Sequence, residues 1–371
     1  MSLSGLFVTL YDVDTLSLYL DKGIYGFLMP PSYGNVNSRS MHYRALADYA
    51  CVRDGTHVFF FLNRKIVYGG QISGSKEYGS FCLNGTDSPM GQKANANLCW
   101  DESYRPRYRS TDKPGIFYIT DNNGNEKKKC QPYLIRFEDK QELKGKYIWS
   151  DQLYWKLGQF GYPLPSNSIQ NMSFCTLTPG ETNIAITLLK EEPAGISNFN
   201  SEENVYLVCE PVSYSPRYDI SNLALTFQNN GFVNEAHLEA SIIANPYLLP
   251  EEMRPNIGDT LCRQIPISPF KPYHMDRADI CYYSNQNPIN NGTVPNVVIE
   301  LKRNRANNSS IRQVERYLDW LSLLVKSETA SKLEGYLLAP SFTRNVHVDK
   351  HVDQIKLFES GNSQITQLEF G

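Results

Sequence analysis

The fold of this chain is decided by the stretch Pro295-Asn296-Val297-Val298-Ile299-Glu300-Leu301-Lys302. It has the pattern of a buried strand whose branched apolar residues end in a glutamate and a lysine. Because side chains alternate along a strand, Glu300 and Lys302 are predicted to project to the same side, next to a hydrophobic core. Burying such a pair is costly unless something compensates its charges. A divalent metal and a phosphate would compensate them, so this stretch is the strongest functional signal in the sequence.

The residues before this strand predict a helix and two strands. Asn234 is a suitable N-cap for a helix over Glu235–Ala244, which Asn245-Pro246 would end. Strands are predicted over 261–267 and Arg277–Tyr283. The Asn-, Pro- and Gly-rich residues 284–295 predict a long hairpin loop that leads into the key strand.

The residues after this strand predict a helix and two further strands. The helix is indicated by apolar residues at spacings of three and four, which form one buried stripe: Ile311, Val314, Leu318, Leu321 and Val325. Residues 334–340 and 354–358 read as buried strands, and the second is predicted to be the last strand of the chain. The order is therefore helix, strands, helix, strand, strand.

This order resembles the restriction-endonuclease-like core of the PD-(D/E)xK nucleases over about residues 232–360. Glu300-Leu301-Lys302 matches the ExK element, and Gln313 to Tyr317 fits the QxxxY helix of several branches. Asp279 corresponds to the first acid, although the long 284–295 loop leaves Asp276 and Asp259 as alternatives. The helix that begins after Asn234 and the strand 335–340 are also similar to the mismatch-type endonuclease branch.

The resemblance implies a site for hydrolysis of phosphodiester bonds. Asp279 and Glu300 would hold Mg²⁺, with Mn²⁺ as an alternative, because hard ions prefer carboxylate oxygens. Glu239 would join them directly or through a water, and Glu235 is the less favoured candidate. Lys302 would orient or deprotonate the attacking water and offset charge in the transition state. The remaining residues are Gln313, expected to orient this cluster, and a group expected to contact phosphates: Tyr317, Arg277, Arg303 and Arg305.

The N-terminal half is predicted to be rich in strands. A hairpin is predicted from two strands, His57–Leu62 and 66–72, with a basic turn between them and a glycine-marked bend. The pattern resembles PUA-like domains of the EVE and ASCH type over about residues 5–165. Such domains are small β-barrels that bind nucleic acid, and several hold a flipped base in an aromatic pocket. The candidate pocket residues are Trp100, Trp149, Tyr154 and Trp155, and Arg105 and Arg107 in the loop 104–109 are candidates for backbone contact.

Composition sets the outer limits of these predictions. The chain has 371 residues, 41% of them hydrophobic and 20% charged, so two packed domains are expected. Its net charge of −3 means that any nucleic-acid binding must come from local basic patches. The eight cysteines include no CxxC pair, which argues against a zinc site. We expect free thiols in a reducing cytoplasm and no membrane segment.

Together these patterns predict a two-domain α+β protein. Residues 1–185 would form the PUA-like recognition domain, 186–225 a connector and 226–371 the nuclease domain. The predicted function is a Mg²⁺-dependent endonuclease on double-stranded DNA, of the restriction type, with modified DNA as a candidate substrate. A homodimer is plausible because cutting both strands needs two sites. The alternatives are a mismatch- or structure-directed repair nuclease and a non-catalytic nucleic-acid-binding protein on a nuclease scaffold.

Overall fold

The structure, a computed structural model, describes residues 4–10, 13–27, 36–73, 82–83, 116–120, 123–130, 133–158, 174–191, 227–228, 231–232, 234–267, 276–360 and 365–368. Within these residues lie seven α-helices and two large β-sheets, so the predicted mixed α+β architecture is confirmed at this level. Among the helices of these segments, none has the length and apolar character needed to cross a membrane.

The first large sheet uses residues between 5 and 177. The elements of this region are β1 (Gly5–Thr9), α1 (Val13–Lys22), β2 (Ile24–Tyr25), α2 (Val36–Ala50), β3 (His57–Leu62), β4 (Lys65–Ile72), β5 (Cys82–Leu83), β6 (Ile116–Thr120), β7 (Glu126–Cys130), β8 (Tyr133–Glu138), β9 (Tyr147–Trp149), α3 (Ser150–Gly158), β10 (Cys175–Leu177) and α4 (Pro179–Glu191). Eight strands form the sheet in the order β10-β1-β3-β4-β8-β2, with β5 on β8 and β9 on β4, and it curls into a half-barrel. Strands β6 and β7 form a separate pair.

The predicted hairpin in this sheet is confirmed. Strands β3 and β4 pair antiparallel from Leu62↔Lys65 onward. The two turn residues between them, Asn63 and Arg64, have φ values of 50° and 64°. A two-residue hairpin turn needs this left-handed backbone to match the twist of its strands, and asparagine adopts it readily.

Two parts of this region differ from the prediction. The sequence predicts a short helix over 42–52 that runs into a strand, but α2 covers Val36–Ala50 and turn residues follow it. Helix α4 was not predicted, and it runs across the predicted domain boundary at 186. Its start is a capping box, in which Glu181 N donates to Thr178 Oγ1 at 3.1 Å and Thr178 N donates to Glu181 Oε2 at 2.7 Å. The three domain ranges stay predictions.

The second large sheet uses residues from 260 onward. The elements of this region are β11 (Phe227–Gln228), β12 (Gly231–Phe232), α5 (Glu235–Ala244), β13 (Thr260–Pro266), β14 (Arg277–Tyr283), β15 (Val297–Leu301), α6 (Asn308–Leu323), α7 (Ser327–Ala330), β16 (Glu334–Ala339), β17 (Ile355–Ser360) and β18 (Ile365–Gln367). The sheet order is β13-β14-β15-β16-β17-β18. Strands β15, β16 and β17 run parallel, and the other neighbours are antiparallel.

The predicted helices and strands from 234 to 358 are confirmed to within two residues at most ends, and β18 follows the strand predicted to be the last. One face of the sheet packs on the stripe of α6, which includes Val314 and Leu318. The other face packs on α5 through Leu238 and Ile242. The two helices therefore cover opposite faces of the key strand β15.

The two large sheets meet along a shared interface. Helix α2 packs on α5, where Leu46 and Ala47 contact Ala240. Strand β10 of the first sheet lies against β13, the edge strand of the second. The Thr176 hydroxyl on β10 accepts a hydrogen bond from Arg263 N at 3.0 Å and lies 3.1 Å from Arg263 O. The N-terminal region thus covers the exposed edge of the sheet that holds β15.

Candidate active site

Asp279 and Glu300 lie side by side on neighbouring strands. Strands β14 and β15 pair antiparallel with Ile280 opposite Ile299, so the next pair in this register is Asp279 and Glu300 on one face. Both carboxylates are buried, with 8% and 3% exposure. Leu301 N donates to Asp279 Oδ2 at 2.7 Å, which ties the first carboxylate to the strand of the second.

Of the three acids considered for the first position, the structure places Asp279 beside Glu300. Asp276 forms an exposed ion pair with Arg316 at 3.1 Å. Asp259 accepts from Asn256 N at 3.0 Å within an exposed turn. Both alternatives are therefore used in local surface contacts, and the assignment of Asp279 is the one that brings two carboxylates together.

Lys302 follows the last residue of β15 and turns back onto Glu300. Its Nζ donates to Glu300 Oε1, so the predicted same-side projection of the two side chains is confirmed. The same Nζ donates to Gln313 Oε1 at 3.1 Å. The Lys302 side chain is 24% exposed, and it therefore links a buried carboxylate to solvent.

Gln313 and Tyr317 lie one turn apart on α6 and complete a ring of hydrogen bonds. Gln313 Nε2 donates to Tyr317 OH at 2.7 Å. The Tyr317 hydroxyl lies 3.0 Å from Glu300 Oε2 and 2.7 Å from Arg277 O, and its single hydrogen can be donated to either. The ring Lys302–Gln313–Tyr317–Glu300 thus fixes both oxygens of Glu300.

Burial raises the pKa of both carboxyl groups of this pair. Burial raises the pKa of Asp279 well above its usual value, and the charges of Glu300, Glu239 and Glu235 raise it further. Burial raises the pKa of Glu300 to about 7, although Lys302 opposes this shift. For Lys302 burial alone would lower the pKa, but the Glu300 carboxylate raises it above its usual value. A lysine that stays protonated beside two carboxylates leaves room for another cation.

The acids of α5 have separate surroundings. Asn234 caps this helix by accepting from Ala236 N at 2.8 Å. Glu235 in the first turn is half-buried. Burial raises its pKa, and the charge of Lys302 opposes this shift. The charges of both Glu239 and Glu235 raise the pKa of Asp279, so the order of the two acids as metal ligands stays a prediction.

Glu239 lies one turn further and is engaged in an ion pair. Arg263 Nε donates to Glu239 Oε1 at 2.9 Å, and its Nη2 donates to Oε2 at 2.6 Å. Arg263 Nη1 also pairs with Asp48 of α2. The metal-ligand role of Glu239 stays a prediction, and it would require one carboxylate to serve both Arg263 and the metal.

Gln264 is a site residue that sequence reasoning missed. It lies on β13, and its Nε2 donates to Asp279 Oδ1 at 2.8 Å. Its backbone φ is 52°, in the left-handed region. The only local signal is a polar residue within the largely apolar run 260–266, and such a residue in an edge strand is ordinary.

Three arginines surround the cluster with different exposure. Arg303 and Arg305 are exposed. Arg303 Nε donates to Phe232 O at 3.2 Å, and Arg305 Nε donates to Phe342 O at 2.8 Å. They follow Lys302 in the chain by one and three residues. Arg277 is half-buried, and its Nη1 donates to Gln264 O at 3.2 Å. Burial lowers the pKa of Arg277, and its hydrogen bond to Gln264 O supports the backbone of the site.

The structure describes three of the N-terminal candidates: Trp149, Tyr154 and Trp155. Trp100, Arg105 and Arg107 lie outside the described residues. Trp149 on β9 is 47% exposed and Trp155 on α3 is 76% exposed. Tyr154 packs against the N-terminal core. The Lys65 ammonium lies 4.3 Å from the centre of the Tyr147 ring and 5.4 Å from that of Trp149. These residues form a basic and aromatic surface, and their role in a base pocket stays a prediction.

The donor set fits a Mg²⁺ ion better than a metal enclosed by protein. In the described segments no group of three or more His, Cys, Asp or Glu side chains is arranged to hold a metal ion. Mg²⁺ usually takes one or two carboxylates and completes its octahedron with waters and substrate phosphates. Asp279 and Glu300 lie side by side and would suit this pattern as a pair of hard oxygen donors.

Comparison with known proteins gives little further constraint. No family model matches the chain, and no curated protein matches it. A repair endonuclease from Pyrococcus abyssi is 24% identical over 37% of this chain and 50% of that chain, with a TM-score of 0.23. The EndoMS-dsDNA2 complex is 13% identical over 87% of this chain and 90% of that chain, with a TM-score of 0.21. The first match thus spans half the length of the Pyrococcus protein. At these TM-scores neither likeness carries an argument about function.

Proposed function

We propose that this protein is a Mg²⁺-dependent endonuclease that hydrolyses phosphodiester bonds in double-stranded DNA, with a PD-(D/E)xK site in a restriction-endonuclease-like domain. The observation that carries the proposal is the contact of Lys302 with Glu300, which lies beside Asp279 on the neighbouring strand. Two buried carboxylates and a protonated amine at the ends of adjacent strands match the needs of phosphodiester hydrolysis. Mn²⁺ is expected to replace Mg²⁺, since both accept carboxylate oxygens.

Each side chain has a defined task in this proposal. Asp279 and Glu300 would hold the Mg²⁺ ion, which supplies charge neutralisation at the scissile phosphate. The Lys302 ammonium, whose pKa is raised by Glu300, would orient the attacking water and offset charge in the transition state. Gln313 donates to Tyr317 and accepts from Lys302, and so it holds the amine in place. Glu235 and Glu239 would add negative charge from α5.

DNA would reach this site from the exposed side of Lys302. Arg303 and Arg305 are exposed there and are each anchored through one N–H group. Anchoring lowers the conformational freedom that a long side chain loses when it binds a phosphate. We propose that these two arginines contact the DNA backbone, and that Tyr317 acts through Glu300, since its hydroxyl is buried.

We further propose that the N-terminal region selects the DNA that is cut. Its curled sheet and the surface of Lys65, Tyr147 and Trp149 are compatible with a PUA-like domain that stacks bases on aromatic rings. A restriction-type enzyme acting on modified DNA is the favoured role, and a homodimer would supply the second cut. A mismatch-directed repair nuclease would use the same catalytic site with a different substrate.

The direct test is plasmid cleavage with Mg²⁺, comparing wild type with Lys302→Ala. Lys350→Ala is the matched control, because Lys350 pairs with Asp319 on an exposed surface. Substrates would be unmodified DNA, DNA with modified cytosine and a mismatched duplex. We expect cleavage by wild type and by Lys350→Ala, with EDTA and Lys302→Ala each abolishing it.

The preferred substrate would then assign the role. Preference for modified cytosine supports restriction, and preference for the mismatch supports repair. Absence of cleavage on all three substrates, together with DNA binding in a gel shift, would overturn the nuclease proposal in favour of a binding protein on a nuclease scaffold.

A further inference from the structure

Gln264 has a backbone conformation that is unusual for a strand residue. Its φ of 52° lies in the left-handed region, whereas its neighbours Arg263 and Ile265 keep their pairs on β14. Such a conformation is unfavourable for a glutamine and persists only when its surroundings enforce it. The result of this conformation is that the Gln264 amide reaches Asp279 Oδ1 at 2.8 Å.

The N-terminal region holds the backbone on one side of Gln264. The Thr176 hydroxyl bonds both Arg263 N at 3.0 Å and Arg263 O at 3.1 Å. Cys262 Sγ donates to Leu177 O at 3.5 Å one residue further along. The Arg263 side chain is anchored on Asp48 of α2 and Glu239 of α5. Residue 263 is therefore fixed through both its backbone and its side chain.

The catalytic side of Gln264 is held as well. Arg277 Nη1 donates to Gln264 O at 3.2 Å. The Tyr317 hydroxyl lies 2.7 Å from Arg277 O, so Arg277 joins Gln264 to the ring around Glu300. Asp279 thus receives Gln264 Nε2 on one oxygen and Leu301 N on the other. These two donors lie on different strands and together define the plane of the carboxylate.

We infer that Gln264 is a positioning residue for Asp279, and that Thr176 of the N-terminal sheet keeps Gln264 in place. The inference rests on the proposed function, and it means that the N-terminal region helps to shape the catalytic carboxylate as well as to choose the DNA. A carboxylate that binds a metal must present one lone pair in a fixed direction. A hydrogen-bond donor on each oxygen sets that direction and leaves the second lone pair of each oxygen for the metal.

Loss of the Gln264 amide should weaken metal binding more than it weakens the fold. Removing a group that orients a metal-binding side chain typically lowers metal affinity or activity about 10- to 100-fold. Gln264→Leu removes the amide and keeps the side-chain volume. Gln264→Gly also removes it but adopts the left-handed backbone without strain. Equal losses in the two variants would assign the effect to the amide and exclude the backbone conformation as its cause.

The link to the N-terminal region is tested at Thr176. Thr176→Val removes the hydroxyl and keeps the shape of the side chain, and Thr176→Ser keeps the hydroxyl. We expect Thr176→Val to lose activity in the same direction as Gln264→Leu but by less, about 3- to 10-fold. Thr176→Ser should restore most of it. The matched control for Gln264→Leu is Gln367→Leu. It makes the same substitution at an exposed position on β18, which is the edge strand at the other end of the sheet.

Three measurements are needed for each variant: kcat and KM for DNA, the Mg²⁺ concentration at half-maximal cleavage, and Mn²⁺ binding by calorimetry without DNA. We expect Gln264→Leu to lower kcat, raise the Mg²⁺ midpoint and weaken Mn²⁺ binding, with KM for DNA and Tm near those of wild type and Gln367→Leu. If the wild type cleaves DNA and binds Mn²⁺, and Gln264→Leu does both equally well, this inference is overturned and the proposed function stands. A wild type that neither cleaves DNA nor binds Mn²⁺ would overturn the proposed function and the inference with it.

Discussion

Two buried clusters in this protein have the same formal charges and opposite character. Asp48, Arg263 and Glu239 form one of them, and the other is Asp279, Glu300 and Lys302. Each contains two carboxylates and one cation. The side chains of Asp48, Arg263 and Glu239 are 1%, 3% and 4% exposed, whereas Lys302 in the second cluster is 24% exposed.

The difference lies in how the cation meets the carboxylates. The Arg263 guanidinium reaches both oxygens of Glu239 and an oxygen of Asp48, so three of its nitrogens are used. The Lys302 ammonium reaches one oxygen of Glu300, and Asp279 accepts only uncharged N–H donors within the described contacts. An arginine fork satisfies a closed cluster, while a lysine leaves one carboxylate without a cation. The cation of the first cluster is fully paired, and the second cluster is the one that we propose to bind a metal ion.

The largest expected effect comes from the same substitution at the two cations. Arg263→Met leaves two buried carboxylates without a cation, and we expect it to lower the free energy of unfolding by about 3–5 kcal/mol. Position 302 is partly exposed, and without the lysine Glu300 can take up a proton. We therefore expect Lys302→Met to lower the free energy of unfolding by only about 1–2 kcal/mol. Its effect on cleavage should be about 10²- to 10³-fold. Urea denaturation and single-turnover cleavage measure the two effects.

The difference between the losses of stability in Arg263→Met and Lys302→Met is a stronger test than either loss alone. If Lys302→Met destabilises the protein as much as Arg263→Met does, both clusters are structural and the comparison fails. Cleavage by Arg263→Met is measured at a temperature where the variant is folded, so that lost stability is not read as lost catalysis.

A smaller effect, and one with a distinct sign, is expected from removing a carboxylate in metal-free buffer. Burial raises the pKa of Glu300 to about 7. Between the unfolded pKa, about 4.3, and 7 the folded protein holds a proton that the unfolded chain has released. The stability contributed by this group is therefore full below that range and lost as the pH rises through about 7. Glu300→Gln, which cannot ionise, should match wild type near pH 5 and exceed it at pH 8 by on the order of 1–2 kcal/mol.

The closed cluster supplies the opposite expectation. Glu239→Gln loses a bidentate ion pair with Arg263, so it should be less stable than wild type at both pH values. Thermal unfolding in EDTA at pH 5 and pH 8 tests both variants. A Glu300→Gln protein that is less stable than wild type at pH 8 would show that Glu300 is held as firmly as Glu239, against the comparison.

Sequence periodicity predicted what local geometry determines. The contact of Lys302 with Glu300 follows from the period of two along one strand, and the buried stripe of α6 follows from its spacing of three and four. The same periodicity placed Glu235 and Glu239 on one face of α5. It could not say which of them Arg263 engages, because that depends on tertiary contacts.

The residues that decide this question are far apart in the chain. Arg263 takes Glu239 from 24 positions away and Asp48 from 215 positions away. Gln264 depends on the same packing, since its left-handed backbone is enforced by Thr176 and Arg277 and by no property of glutamine. Helix α4 is a different case, because the capping box of Thr178 and Glu181 is a local sequence pattern that by itself predicts the start of a helix.

The smallest expected effect separates two buried tyrosine hydroxyls. Tyr317→Phe removes a donor near Glu300 Oε2 and the acceptor of Gln313 Nε2. A hydrogen bond of this kind contributes about 0.5–1.5 kcal/mol, so a 2- to 10-fold loss in kcat is expected. Tyr336→Phe is the matched control, because its hydroxyl also bonds a carbonyl, Glu252 O at 3.1 Å, and a carboxylate, that of Glu334.

Both phenylalanine variants should lose similar stability, and only Tyr317→Phe should lose kcat. A double-mutant cycle of Tyr317→Phe with Gln313→Leu sharpens the result. If the ring of hydrogen bonds acts through Lys302 and Glu300 as one unit, the double variant should lose about as much as Gln313→Leu alone. Fully additive losses, or an equal loss of kcat in Tyr336→Phe, would mean that Tyr317 serves the packing of α6 as Tyr336 serves that of β16, and that the open cluster ends at Gln313.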